Sequence, residues 1–270
     1  MPELPEVEIT RRGLLPLINQ TVSKVVIRNP SMRWPIPDHL PTTLASQTLL
    51  SFKRRAKYIL AEFENGTLLI HLGMSGHISL LDRNYPPEKH DHFDIQFKNQ
   101  QVLRLNDPRR FGAVLWAGMS PETHVLLSAL GPEPLNDAFS GKYLHQQISK
   151  RKAAIKIAIM DAKLVVGVGN IYANESLFRA RLNPQLPANQ LNLEQCEQLV
   201  AEIKATLADA IKAGGSSLRD FAAVNGKSGY FQQSYFVYSR MDQPCKVCGK
   251  VIKNIRLGQR STYFCQNCQK

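Results

Sequence analysis

The stretch Tyr58-Ile59-Leu60-Ala61-Glu62-Phe63-Glu64-Asn65-Gly66-Thr67-Leu68-Leu69-Ile70-His71 reads as two strands around a tight turn. Asn-Gly is a strong two-residue hairpin signal, because both residues tolerate the positive φ that a type I′ turn demands. Residues 58–64 and 67–71 are therefore expected to pair. Upstream, Val22–Ile27 is rich in β-branched residues; downstream, 93–97 and 102–105 flank Asn99-Gln100 as a second hairpin, and 113–116 adds a short strand. Six or more short antiparallel strands in about a hundred residues predict a sandwich or flattened barrel.

Helices flank this β region. Residues 5–14 predict a short one, with Pro5 in the first turn, Glu6 and Glu8 near the positive end, Arg11 and Arg12 near the negative end, and Gly13 and Pro16 as stops. Gly131-Pro132-Glu133-Pro134-Leu135 is a proline-rich break, after which the apolar period becomes helical. Residues 142–147, 153–161 and 171–180 predict short helices, the last with Asn170 as N-cap. The longest covers 192–213, with Asn192 and Gln195 as a capping box and Gly214-Gly215 as its stop. The expected domains are 1–131, 132–235 and 236–270.

At 270 residues and 43% hydrophobic, the chain has enough apolar surface for two cores. No apolar run reaches the ~20 residues of a membrane span, and the charged N-terminus lacks a signal-peptide core, so a cytoplasmic protein without membrane partners is expected. Thirty-four Lys and Arg against 22 Asp and Glu give a net charge of +12, which favours a polyanionic partner.

Four of the five cysteines form Cys245-x2-Cys248 and Cys265-x2-Cys268, sixteen residues apart. This spacing suits two knuckles that supply four thiolates to one zinc ion, and four thiolates leave no open position for substrate. A disulfide pairing is the competing reading, disfavoured in a reducing compartment. Arg240, Lys246, Lys250, Lys253, Arg256, Arg260 and Lys270 surround the site against one carboxylate, Asp242, an excess that points to phosphate contact. Cys196 falls in a helical pattern and reads as a small buried hydrophobe.

Other stretches admit two readings each. Asp107-Pro108-Arg109-Arg110-Phe111-Gly112 is either a plain β-turn with a core phenylalanine or a loop that drives Arg109 and Phe111 into a duplex. His71-Leu72-Gly73-Met74-Ser75-Gly76 is a glycine-flanked turn that could present Met74 as a wedge. Gly167-Val168-Gly169-Asn170 leads into a helix N-terminus, where free N–H groups suit a phosphate, and Lys150, Arg151 and Lys152 precede the partner helix. Those three charges are equally well read as a solvated face. Lys57 enters a strand from a basic run, where an exposed lysine is the default. His90 and His92 flank Asp91 in a loop that suggests a metal but lacks a further matched ligand, so His90 suits a phosphate contact and His92 a structural role.

The N-terminus carries its own chemistry. Loss of Met1 would expose Pro2 as a secondary amine, and such amines titrate near ~7.7–8.0, leaving a nucleophilic fraction at neutral pH. Condensation with an aldehyde carbon gives a cationic iminium, an electron sink, and Glu3 and Glu6 lie within a helical turn to relay protons. The plainer reading is that Pro5 and Glu6 only start a helix.

Taken in order, the motifs at 2–8, 54–58, 71–76, 86–92, 107–112 and 167–172, with Gln259-Arg260 and the four cysteines, resemble the bacterial formamidopyrimidine-DNA glycosylases over essentially the whole chain. The resemblance implies a multi-domain α+β fold: an antiparallel β-sandwich flanked by helices, then a helix–two-turns–helix domain with a zinc finger. It implies a monomeric enzyme of base excision repair, active on damaged double-stranded DNA and nucleoid-associated through it. Such an enzyme excises oxidised purines through a Schiff base on Pro2, then cuts the strand by β,δ-elimination. The implied catalytic set is Pro2, Glu3, Lys57, Arg260 and Glu6. The implied DNA contacts are His90, Arg109, Lys150, Arg151 and Asn170, with Met74, Arg109 and Phe111 filling the void left by the flipped base. Residues 216–230 resemble the loop that closes over that base. The rival readings are an oxidised-pyrimidine glycosylase of the endonuclease VIII type and a noncatalytic zinc-ribbon damage binder.

Overall fold

The computed structural model describes residues 2–216 and 231–270. These fall into two compact units, one of 2–128 with 213–216 and one of 129–212 with 231–270. Among the described residues no helix is long and apolar enough to cross a membrane.

The first unit contains helix α1 (Leu4–Gly13), strand β1 (Val22–Ile27), short helix α2 (Leu40–Leu44), and strands β2 (Leu49–Arg55), β3 (Tyr58–Phe63), β4 (Gly66–His71), β5 (His77–Asp82), β6 (Asp91–Phe97), β7 (Gln101–Asn106) and β8 (Ala113–Gly118). They form two four-stranded antiparallel sheets, ordered β1-β6-β7-β5 and β2-β3-β4-β8. Side chains alternate across a strand, so each sheet sends one row inward. Val25, Phe93, Ile95, Phe97 and Leu103 from one sheet meet Phe52, Ile59, Phe63, Leu68 and Ile70 from the other in a single buried cluster. Val7 of α1 joins it. Strand count left a sandwich or a flattened barrel open; two separate sheets make it the sandwich that the resemblance implies.

The 58–71 hairpin forms with its turn shifted by one residue. Phe63 pairs with Gly66, so the loop is Glu64-Asn65 rather than Asn65-Gly66, and neither loop residue has positive φ. Gly66 serves packing instead: at φ +147 a Cβ there would lie 2.6 Å from Trp116 Cζ2 on the adjoining strand. The sequence pattern passed over β2 and β5, where basic or mixed residues on the outer face mask the alternation.

The second unit contains α3 (Gly141–Ile148), α4 (Ile155–Ile159), α5 (Asn170–Arg179), α6 (Leu193–Lys212) and the hairpin β9 (Lys253–Leu257) and β10 (Arg260–Phe264). Two turns separate α4 from α5. Helix α6 buries Cys196, Leu199, Val200, Ile203, Leu207 and Ala210, a single face at helical spacing. Its capping box is formed, with Asn192 Oδ1 accepting Gln195 N at 2.8 Å and Gln195 Oε1 accepting Asn192 N at 3.0 Å. Gly214 at φ +79 ends it, as expected. Cys196 is fully buried, and burial pushes its thiol up to about 11.

Candidate nucleic-acid and catalytic site

In the first unit Pro2 and Glu3 are buried at the head of α1. Glu3 is the N-cap of a reciprocal capping box with Glu6, whose Oε2 accepts Glu3 N at 2.8 Å. The other oxygen, Oε1, accepts Ser216 N at 2.9 Å and Ser216 Oγ at 3.0 Å. One fully buried carboxylate therefore fixes the backbone beside Pro2 and the root of the segment that follows α6. The helix positive end and these three donors supply the charge balance for Glu6. Met1 lies outside the described residues, and so do residues 217–230 of the 216–230 loop that the resemblance assigns to base closure.

Further along α1, Glu8 gathers Arg11 at 2.8 Å, Arg12 at 2.8 Å and Arg54 at 3.3 Å. Burial pushes the Glu8 carboxyl up, and the guanidinium groups of Arg11, Arg12 and Arg54 outweigh it, leaving it below its ordinary value. Arg54 also donates to Ala56 O at 3.0 Å. Ala56, at φ +54, and Lys57 form the tight turn between β2 and β3, so this network fixes the hairpin tip that carries Lys57. Lys57 itself is half-buried. His71 sits beside it, its ring 4.8 Å from that of Tyr58. Burial first, then the charges of Lys57 and Arg33, lower the His71 pKa to about 4. The imidazole is therefore neutral at physiological pH, with Nδ1 accepting Gly73 N at 3.1 Å.

Three loops lie at one end of the sandwich. Met74 is half-buried in the 72–76 turn, His90 is half-buried before β6, and Arg109 and Phe111 are exposed in the 107–112 turn. The Arg109 guanidinium lies 4.8 Å from the Phe111 ring centroid, a cation–π pair presented to solvent. His92 is buried, its Nε2 2.9 Å from Asp107 O, in agreement with its expected structural role.

In the second unit Asn170 is the first residue of α5 rather than its cap; Gly169 is the N-cap and makes no side-chain bond. The Asn170 side chain is committed elsewhere, donating to Ser261 O at 3.0 Å and accepting Lys156 Nζ at 2.7 Å. Lys156, fully buried on α4, also donates to Ser261 O at 2.9 Å and Thr262 Oγ1 at 2.7 Å. Asn174 accepts Tyr263 N at 2.7 Å. Strand β10 is thus sewn onto α4 and α5, which sets Arg260 at the hairpin tip. The tip residues Gly258 and Gln259 both have positive φ, as a type I′ turn requires. Lys150 and Lys152 are exposed, while Arg151 is paired with Asp161 at 2.7 Å. Lys156 escaped the sequence reading, although a lysine inside the apolar run Ile155-Lys156-Ile157-Ala158-Ile159 signals a buried, fully hydrogen-bonded amine.

The four cysteine sulfurs lie within 4.8 Å of one another, with Cys245–Cys268 at 3.9 Å and Cys248–Cys265 at 3.5 Å. A tetrahedral zinc with bonds of about 2.3 Å spaces its sulfurs about 3.8 Å apart, so the cage fits one structural Zn²⁺. The ion ties the two knuckles into one piece and supplies no open coordination position. The hairpin carrying Arg260 grows from that piece.

Family models match over three segments: the formamidopyrimidine-DNA glycosylase N-terminal domain over residues 1–114, the H2TH domain of the same enzymes over 130–222, and the zinc finger found in FPG and IleRS over 242–270. This ordered set, together with the proline-led helix and the four-thiolate cage, defines a DNA-repair glycosylase. The chain belongs to the formamidopyrimidine-DNA glycosylase family. It is 60% identical over 270 residues to the formamidopyrimidine-DNA glycosylase of Methylobacillus flagellatus, covering 100% of this chain and 97% of that protein. Among solved structures, the MutM (Fpg) protein of Thermus thermophilus superposes with a TM-score of 0.89 at 36% identity, covering 99% of this chain and 98% of that one. The Lactococcus lactis Fpg complex with abasic-site DNA superposes with a TM-score of 0.93 at 33% identity over 100% of both.

Proposed function

We propose that the protein, after removal of Met1, excises oxidised purines such as 8-oxoguanine and formamidopyrimidines from duplex DNA and then cleaves the strand. It binds damaged DNA as a monomer in the cytoplasm. The observation that carries this reading is the head of α1, where Pro2 and Glu3 are buried and clamped by the Glu6 carboxylate.

The Pro2 nitrogen attacks C1′ of the damaged nucleotide as the glycosidic bond breaks and the base leaves. Ring opening of the sugar gives an iminium between Pro2 and C1′. That cation acidifies the C2′ proton; its removal expels the 3′ phosphate, and a second elimination expels the 5′ phosphate. Glu3 exchanges protons at the sugar, and Glu6 holds the backbone that presents both groups. Lys57 contacts the base and assists the first elimination. Arg260 assists the second from the zinc hairpin. His90, Arg109, Lys150, Arg151 and Asn170 contact the DNA backbone or bases, and Met74, Arg109 and Phe111 fill the vacated stack.

Borohydride reduction on an abasic duplex tests this directly. A covalent adduct mapped by mass spectrometry to Pro2 is expected, with faster excision of 8-oxoguanine than of thymine glycol. No adduct, or an adduct at another residue, defeats the mechanism; preference for thymine glycol defeats the substrate assignment.

A further inference from the structure

Asp107 is fully buried, and its polar atoms are committed to several loops at once. Its Oδ1 accepts Ser75 Oγ at 2.9 Å, and its Oδ2 accepts Gly112 N at 2.8 Å. Its N–H donates to His90 O at 3.0 Å, and its carbonyl meets His92 Nε2 at 2.9 Å and accepts Arg110 N at 3.1 Å. Ser75, itself 5% exposed, uses the same hydroxyl to accept Arg109 N at 3.3 Å. The turns also touch directly: a Cβ on Gly73, at φ +62, would overlap the backbone of Phe111 and Gly112.

We infer that Ser75 and Asp107 form a latch that makes the Met74 turn, the Arg109–Phe111 turn and the His90 loop one rigid body. The wedge then enters the duplex already assembled. This rests on the proposed void-filling role of Met74, Arg109 and Phe111, and it makes Ser75 and Asp107 positioning residues that touch no DNA themselves. The physical reason is entropic. Three independent loops would each lose conformational freedom on insertion, whereas loops already joined through a buried carboxylate have lost it on folding.

The latch matters only where there is a stack to fill. The test therefore compares a tetrahydrofuran-site duplex, carrying 2-aminopurine beside the lesion, with the same lesion strand alone. Full-length zinc-loaded protein is titrated as wild type, S75A, D107N and the double variant. S75A is expected to weaken duplex binding about tenfold, the scale of one hydrogen bond to a buried charge. It should abolish the 2-aminopurine signal of insertion and leave single-strand affinity unchanged. In the D107N background S75A should cost much less, because the partner is already altered. The inference is overturned if S75A binds the duplex like wild type, weakens both substrates equally, or adds its full cost to D107N. The tetrahydrofuran site undergoes no chemistry, so the outcome is independent of the Schiff-base assignment, which the borohydride adduct decides.

Discussion

Glu8 on α1 and Arg54 on β2, 3.3 Å apart, join the helix that presents Pro2 to the hairpin that presents Lys57. Both side chains are 12% exposed, and Arg54 closes the link by donating to Ala56 O in the turn itself. The substitution R54A removes both bonds, although Glu8 keeps Arg11 and Arg12. The expected cost is about 1–2 kcal/mol, seen as a fall in Tm of a few degrees. The first elimination should slow more than DNA binding weakens, because the turn bearing Lys57 loses its brace. Calorimetry and single-turnover strand cleavage measure the two effects.

His71 gives the first unit a pH dependence of definite sign. Its pKa is lowered from 6.5 to about 4, so the unfolded chain takes up a proton over that interval while the folded one does not. The stability tied to the neutral ring is complete above pH ~6.5 and is lost as pH falls toward about 4, by at most about 3 kcal/mol. Urea unfolding between pH ~4 and ~7 should show this slope, and H71Q should flatten it. A slope unchanged by H71Q would assign the dependence to other groups.

Lys156 holds β10 to α4 and α5 through Asn170, Ser261 and Thr262. Replacing it with methionine takes the charged donor from the buried Thr262 Oγ1 and from the part-buried Asn170 Oδ1 and Ser261 O, a cost of about 2–3 kcal/mol. K156M should lower Tm and weaken duplex binding, whereas K152M, at an exposed position, should leave Tm unchanged. Differential scanning calorimetry and fluorescence anisotropy separate the pair.

Removal of zinc should release the hairpin that carries Arg260. The Cys245, Cys248, Cys265 and Cys268 sulfurs converge beside a small cluster of Phe178, Val237 and Ile252, and metal binding in so short a segment is folding free energy. Chelation or C248S should lower zinc content below one ion per chain and abolish tight DNA binding. The β-sandwich should still melt cooperatively. Loss of both transitions together would show that the two units fold as one.

Sequence alone determined an antiparallel β region of sandwich or barrel type, the α6 capping box and the cysteine cage, because each depends on residues close in the chain or on a rigid spacing. Strand alternation, Asn192 with Gln195, and two C-x2-C pairs carry their geometry locally. The motifs also singled out Pro2, Glu3, Lys57, Met74, Arg109 and Phe111 as candidates. What they could not give was how those residues are held. Gly66 reads as a turn residue until Trp116 packs on it, Asn170 reads as a cap until Ser261 and Lys156 claim its amide, and Asp107 is silent until Ser75, His90 and Gly112 converge on it. Most of these partners lie well outside the local sequence window, and only the folded chain brings them within reach.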